Sequence, residues 1–158
     1  MEYQFKSRNT LCYLSLHDCE IQYVEWIDTS LIFHFNWVNV LKIHPQNQTG
    51  KAKVARNAIL IFENAIELSC IYYDLTRTFY NKKKANKREF FIPDDADVVT
   101  SSIIERCKNV EISKNEVFNE NGINIWNCSC HNDSNFKMTY SNMYVCFNQL
   151  EENAWFEE

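Results

Sequence analysis

Apolar and polar residues alternate with a period of two along most of the chain, the pattern of strands with one buried and one wet face. The alternation is clearest over residues 11–43, LCYLSLHDCEIQYVEWIDTSLIFHFNWVNVLKI, where Leu31, Phe33, Phe35 and Trp37 fall on one side of an extended chain and Ile32, His34 and Asn36 on the other. Just before it, Ile21 and Tyr23 alternate with Glu20, Gln22 and Val24, and Asp28-Thr29-Ser30 supplies the small polar residues of a tight connection. Together these runs predict a hairpin. Pro45, within His44-Pro45-Gln46-Asn47, removes a ladder donor and ends the stretch.

The remaining elements follow by the same reading. Tyr3 and Phe5 alternate in a polar N-terminus, an edge strand or a loose arm. Residues 58–62, AILIF, form a continuous apolar run suited to a strand covered on both faces or to a buried helix. Ile66, Leu68, Cys70 and Tyr72 resume the alternation, and a second apolar run follows the basic cluster of residues 82–88, which predicts a long hairpin with a cationic tip. Asp94, Asp95 and Asp97, followed by Val99, Ile103 and Cys107 at four-residue spacing, predict one short helix near residues 95–107. Residues 110–118 and 123–130 flank Asn121-Gly122, the dipeptide of a two-residue hairpin turn. A last strand is expected within 136–150, where Met143, Val145 and Phe147 alternate with Tyr144 and Cys146.

These elements predict a mostly β fold, an antiparallel sandwich or partly open barrel, in a single domain spanning 1–158. With 11 Phe, 8 Tyr and 4 Trp there is ample bulky surface to bury, which excludes wholesale disorder. Seven scattered cysteines cannot all pair within the chain, so reduced thiols and a cytoplasmic location are expected. The first ten residues hold no apolar leader, and no apolar run reaches the ~20 residues of a membrane-spanning helix.

Candidate chemistry is sparse. Cys128-Ser129-Cys130-His131, with Asp133 nearby, is the densest set of possible metal ligands, but Cys-x-Cys on a strand does not bend round an ion; neither metal nor cofactor is expected. His17, Asp18 and Cys19 place an imidazole, a carboxylate and a thiol in sequence, the material of a hydrolase-type site. Neighbours on a strand face opposite ways, however, and no catalytic residue is assigned. Lys82, Lys83, Lys84, Lys87 and Arg88 could meet phosphates, yet the net charge of −5 opposes nucleic acid. Enzymatic activity and nucleic-acid binding therefore stand as alternatives.

The segments LHDCEIQYVEW, LIFHFNWV, TGKAK and VEISKNEVFNENGINIW resemble small uncharacterised proteins of low-GC Gram-positive bacteria, and the resemblance covers most of the chain. It implies a mostly β cytoplasmic domain, and some proteins of this kind are suspected immunity partners of secreted toxins. No functional residue is carried over from it. The acidic charge and the groups Asp18/Glu20, Glu25/Trp26 and Glu151/Glu152/Trp155 then suggest a surface that steers a basic protein, a toxin or nuclease, and anchors it with large rings. Long apolar strands with few interruptions also suggest a homodimer.

Overall fold

The structure, a computed structural model, describes residues 3–74, 86–91, 104, 107–131 and 134–157, with 67–74 and 86–91 described as backbone. In chain order the strands are β1 (Phe5–Arg8), β2 (Leu14–Ser15), β3 (Glu20–Ile27), β4 (Ser30–Phe35), β5 (Trp37–Val40), β6 (Lys53–Arg56) and β7 (Ile59–Glu63). They continue with β8 (Ile66–Asp74), β9 (Asn86–Phe91), β10 (Val110–Glu120), β11 (Ile123–Cys130), β12 (Asn135–Tyr140) and β13 (Asn142–Phe147). Ten of them form one sheet in the order β1-β13-β7-β4-β3-β10-β11-β12-β8-β9, and β2-β5-β6 form a second. Every strand pairing is antiparallel. The larger sheet does not close into a barrel, because β1 and β9 end its order. Both the helix expected near 95–107, apart from Ile104 and Cys107, and the cationic tip at 82–85 lie outside the described residues.

The ten-stranded sheet folds over on itself, and β10 is the crease. Val110 and Glu111 pair with β3, the register then shifts between Ile112 and Lys114, and the rest of β10 pairs with β11. Bulges of this kind bend a strand and raise its twist. The consequence is visible in the core: Phe33 on β4 lies 5.1 Å from Trp126 on β11 and 5.7 Å from Phe136 on β12, although those strands are far from β4 in the sheet order. Phe62 on β7 stacks on Trp126 at 4.8 Å and meets Tyr140 edge-on at 5.1 Å. Two halves of one sheet thus face each other across an aromatic layer, which makes the fold a β-sandwich.

Turns in this chain are built from asparagine and aspartate. Asn9, Asp18, Asp28, Asn57, Asn64, Asn109 and Asn121 all have φ between 49° and 61°, the left-handed region that their short polar side chains tolerate. Asn121 and Gly122, both with positive φ, make the hairpin between β10 and β11, and Asp28 turns β3 into β4 with Ile27 opposite Ser30. A scarcity of glycine therefore costs the fold no turns.

Three breaks move the chain between sheet neighbours. Asn36 separates β4 from β5, so Trp37, which periodicity places beside Phe35, belongs to the smaller sheet and is only half-buried. Asn64 separates β7 from β8, and Ser141 divides the expected last strand into β12 and β13. These last two corners meet: Asn64 Nδ2 donates to Ser141 Oγ at 2.9 Å, and the Ser141 N–H donates to the Glu63 carbonyl at 3.0 Å. The run 58–62 supplies a strand from Ile59 onward, with Ile59, Leu60 and Phe62 buried and Ile61 half-exposed.

The C-terminal segment is packed back rather than frayed. Glu151 N–H donates to the Val54 carbonyl at 2.8 Å and Val54 N–H to the Glu152 carbonyl at 3.0 Å, extending the small sheet beyond β6. Ala154 is buried, and the Glu157 carboxylate accepts the Ala52 N–H at 2.9 Å. Among the described residues no helix is long and apolar enough to cross a membrane.

Candidate acidic-aromatic binding face

The turn between β2 and β3 positions the first group of the site. With φ at 61°, Asp18 projects its carboxylate between two imidazoles: His17 Nδ1 lies 2.9 Å from Oδ2 and His131 Nε2 3.1 Å from Oδ1. Donation from His131 first, and from His17 second, holds the Asp18 carboxyl below its ordinary 3.8. The two rings stand edge-on, 6.2 Å apart, and His17 lies 6.5 Å from the ring of Trp155. Sequence positions 131 and 155 are thus both brought to His17.

The back-packed terminus brings the second group. Arg56, at the end of β6, donates from Nε to Glu151 Oε2 at 3.0 Å and from its second arm to Glu152. Glu152 is held below the ordinary carboxylate range by its own backbone N–H and by Arg56. One guanidinium against two carboxylates leaves the group negative. Above it Trp155 is 66% exposed, the most exposed of the large hydrophobic side chains described. Burial of Ala154 beside it fixes the backbone, so the indole is presented on an anchored segment.

Clefts open beside these groups, among them one of about 370 Å³ that His17 lines with Leu11, Ser15 and Lys114. A second, of about 340 Å³, is lined by Trp37, Asn39, Val54, Arg56, Glu152 and Trp155. A third, of about 310 Å³, is lined by Glu20, Glu111 and His131, which continues the acidic surface past Asp18. Glu20 accepts from Asn36 Nδ2 at 3.3 Å, at the break between β4 and β5.

The suggested partner residues separate into two sets. Asp18, Glu20, Glu151, Glu152 and Trp155 gather on this face, linked through His17, His131 and Arg56. Glu25 and Trp26 lie further along β3: Glu25 Oε1 is bonded to His34 Nε2 at 2.7 Å, and Trp26 packs against the core. His34 itself stacks on Tyr23 at 4.0 Å, so Tyr23, His34 and Glu25 share an outer sheet face while Trp26 points the other way. Residue alternation alone does not reveal Arg56, Asn39 or Trp37 as parts of the site. A sign was present for Asn39, a polar amide between Val38 and Val40.

Cysteine chemistry points inward. Cys19 is buried, its Sγ 3.4 Å from the Ser15 carbonyl, and burial pushes its thiol up to about 12. The histidine and aspartate beside it in sequence therefore do not activate it. Cys128 and Cys130 share one face of β11 with Cys107 against them; donation from Cys107 and Cys128 holds Cys130 low, while burial pushes Cys128 well up. Among the described residues no group of His, Cys, Asp and Glu is arranged to hold a metal ion. Asp133 lies outside the described residues.

No protein-family model, no curated protein and no solved structure matches the chain.

Proposed function

We propose that the chain is a cytoplasmic protein-binding domain whose partner is basic, and that it acts as an immunity protein neutralising a toxin or nuclease. The observation that carries the reading is Trp155, 66% exposed on an anchored segment against His17, which holds Asp18, and sharing a cleft with Glu152. An exposed indole ringed by polar groups is the residue type that dominates protein interfaces, and surrounding carboxylates steer a cationic partner towards it. One cleft beside Trp155 and another beside Glu20 and His131 can each take a protruding side chain. The resemblance to suspected immunity proteins supplies the biological setting.

The test is affinity capture with the tagged chain from its source cells, with products of neighbouring genes expressed alongside. A basic protein retained at low salt, released at high salt and lost with Trp155→Ala supports the reading. Retention of nothing, together with unaltered growth when each neighbouring toxin candidate is expressed with and without this chain, overturns it.

One observation favours a second reading. Asp18 orients two imidazoles, an arrangement that acid–base catalysis uses, so a hydrolase-type site at His17, Asp18 and His131 is the alternative. Against it, all three side chains are 45–54% exposed and Cys19 is sealed away. Turnover of a phosphodiester or ester abolished by Asp18→Asn would move the assignment to the enzymes.

A further inference from the structure

The outward face of the half-sheet β1-β13-β7-β4-β3 holds its charges apart. Strand register sets Arg8, Tyr144, Ile61, Ile32 and Glu25 in one row across the five strands, on the side away from the aromatic core. Tyr144, Ile61 and Ile32 are half-exposed, although the outer face of a sandwich is ordinarily polar. Arg8 ends the row on β1 together with Lys6 two residues before it, and among the described residues neither forms an ion pair: Arg8 Nε donates to the neutral Asn142 Oδ1 at 3.1 Å and Lys6 lies over the Tyr144 ring at 4.3 Å. At the other end the Glu25 side chain is 42% exposed and meets His34. With Glu63 at the end of β7 these charges sum to zero, whereas the whole chain carries −5.

We infer that this face joins two copies of the chain about a two-fold axis parallel to β7, with Arg8 of each copy over Glu25 of the other and the two Ile61 side chains together at the centre. Rotation about that axis reverses the strand order and keeps the rows in step, so β1 lies over β3. An axis across the strands would set β1 against its own copy, with Lys6 and Arg8 facing the same cations, and charge rejects it. Two twisted sheets pack face to face in the aligned way that the first axis gives. A neutral face with separated signs offers an unrelated protein no field to follow, while a second copy matches it by symmetry. Glu63 is the one charge whose own copy comes near, and donation from Asn142 Nδ2 at 2.9 Å draws it towards β13, off the axis. The contact uses none of the Trp155 face and does not rest on the reading given for it.

Sedimentation velocity and light scattering on the full chain, from about 10 µM to about 1 mM, test the contact. A monomer–dimer equilibrium is expected, abolished by Ile61→Lys at a half-exposed position outside the core. Arg8→Glu and Glu25→Arg should each weaken it about tenfold, since each reversal acts twice by symmetry. Mixed in equal amounts, the two reversed chains should pair with each other as tightly as unaltered copies do, because both contacts then join opposite signs. Thermal melts establish that the variants are folded. A monomer at every concentration, a dimer indifferent to the reversals, or reversed chains that do not pair on mixing each overturns the inference. Retention of an unrelated protein by a chain that stays monomeric, lost with Ile61→Lys, overturns it too and assigns the face to another occupant.

Discussion

Replacing Asn39 with valine should leave the fold as stable as before, or more stable, although the side chain removed is fully buried. Its Oδ1 has no donor among the described residues, and a buried acceptor in that state costs a fold ~1–3 kcal/mol. Removing it recovers that amount. Against the gain stand the 3.6 Å donation from Nδ2 to Cys19 Sγ, a weak acceptor, and the altered shape of a side chain that branches at Cβ, together on the order of 1 kcal/mol. Valine also suits a strand buried on both faces. The balance lies between no change and a gain of about 2 kcal/mol, and in a chain of this length each kcal/mol moves Tm by ~2–4 °C. Guanidinium unfolding followed by circular dichroism measures it directly. A loss of more than about 1 kcal/mol would show that Oδ1 is satisfied in the folded protein and refute the reasoning.

Phe33→Ala should cost ~3–5 kcal/mol, because the ring is fully buried between Phe62 on its own side and Trp126 and Phe136 on the facing half; chemical denaturation checks it. Asp18 should titrate below 3.8 by carbon-detected NMR, with His131→Ala raising it more than His17→Ala. A carboxyl whose folded pKa is depressed contributes stability above its unfolded value and loses it as pH falls through the folded one, so the contribution of the Asp18 carboxyl should be lost as pH falls below 3.8. Iodoacetamide at mildly alkaline pH should label exposed Cys12 first and leave Cys19 unmodified in the native protein, as mass spectrometry of digests would reveal.

Much of the sandwich was legible because its strands obey period two and its hairpins carry turn residues. What period two concealed is where strands change neighbours. Along β4 the buried positions are Leu31, Phe33 and Phe35, but the next is Val38, a slip of one residue across Asn36. The same slip separates Phe62 from Ala65 across Asn64, and Tyr140 from Met143 across Ser141. Each slip marks a corner at which the chain leaves one pair of neighbours for another, and none carries the proline or glycine that would announce a turn. Trp37 was assigned to the core face of its neighbours for that reason.

The site was legible as chemistry and not as geometry. Asp18, Glu151, Glu152 and Trp155 stood out as acidic and aromatic, yet what unites them is the return of the C-terminus along β6 and the crease in β10 that brings His131 to Asp18. Both are long-range pairings with no local signal. Arg56 was hidden because a lone arginine at a strand end reads as ordinary solvent-facing charge. Glu25 and Trp26 share the composition of the face but sit further along β3, where alternation points one towards His34 and the other towards the core.

The central claim is that a basic protein docks on the Trp155 face, and the direct measurement is capture by the tagged chain against its Trp155→Ala variant across a salt series. The account predicts a basic partner kept by the unaltered chain at low salt, shed as ionic strength rises, and absent from the variant even though the variant melts normally. Retention of the same partner by both chains with equal salt sensitivity, or of no basic protein by either, would contradict it.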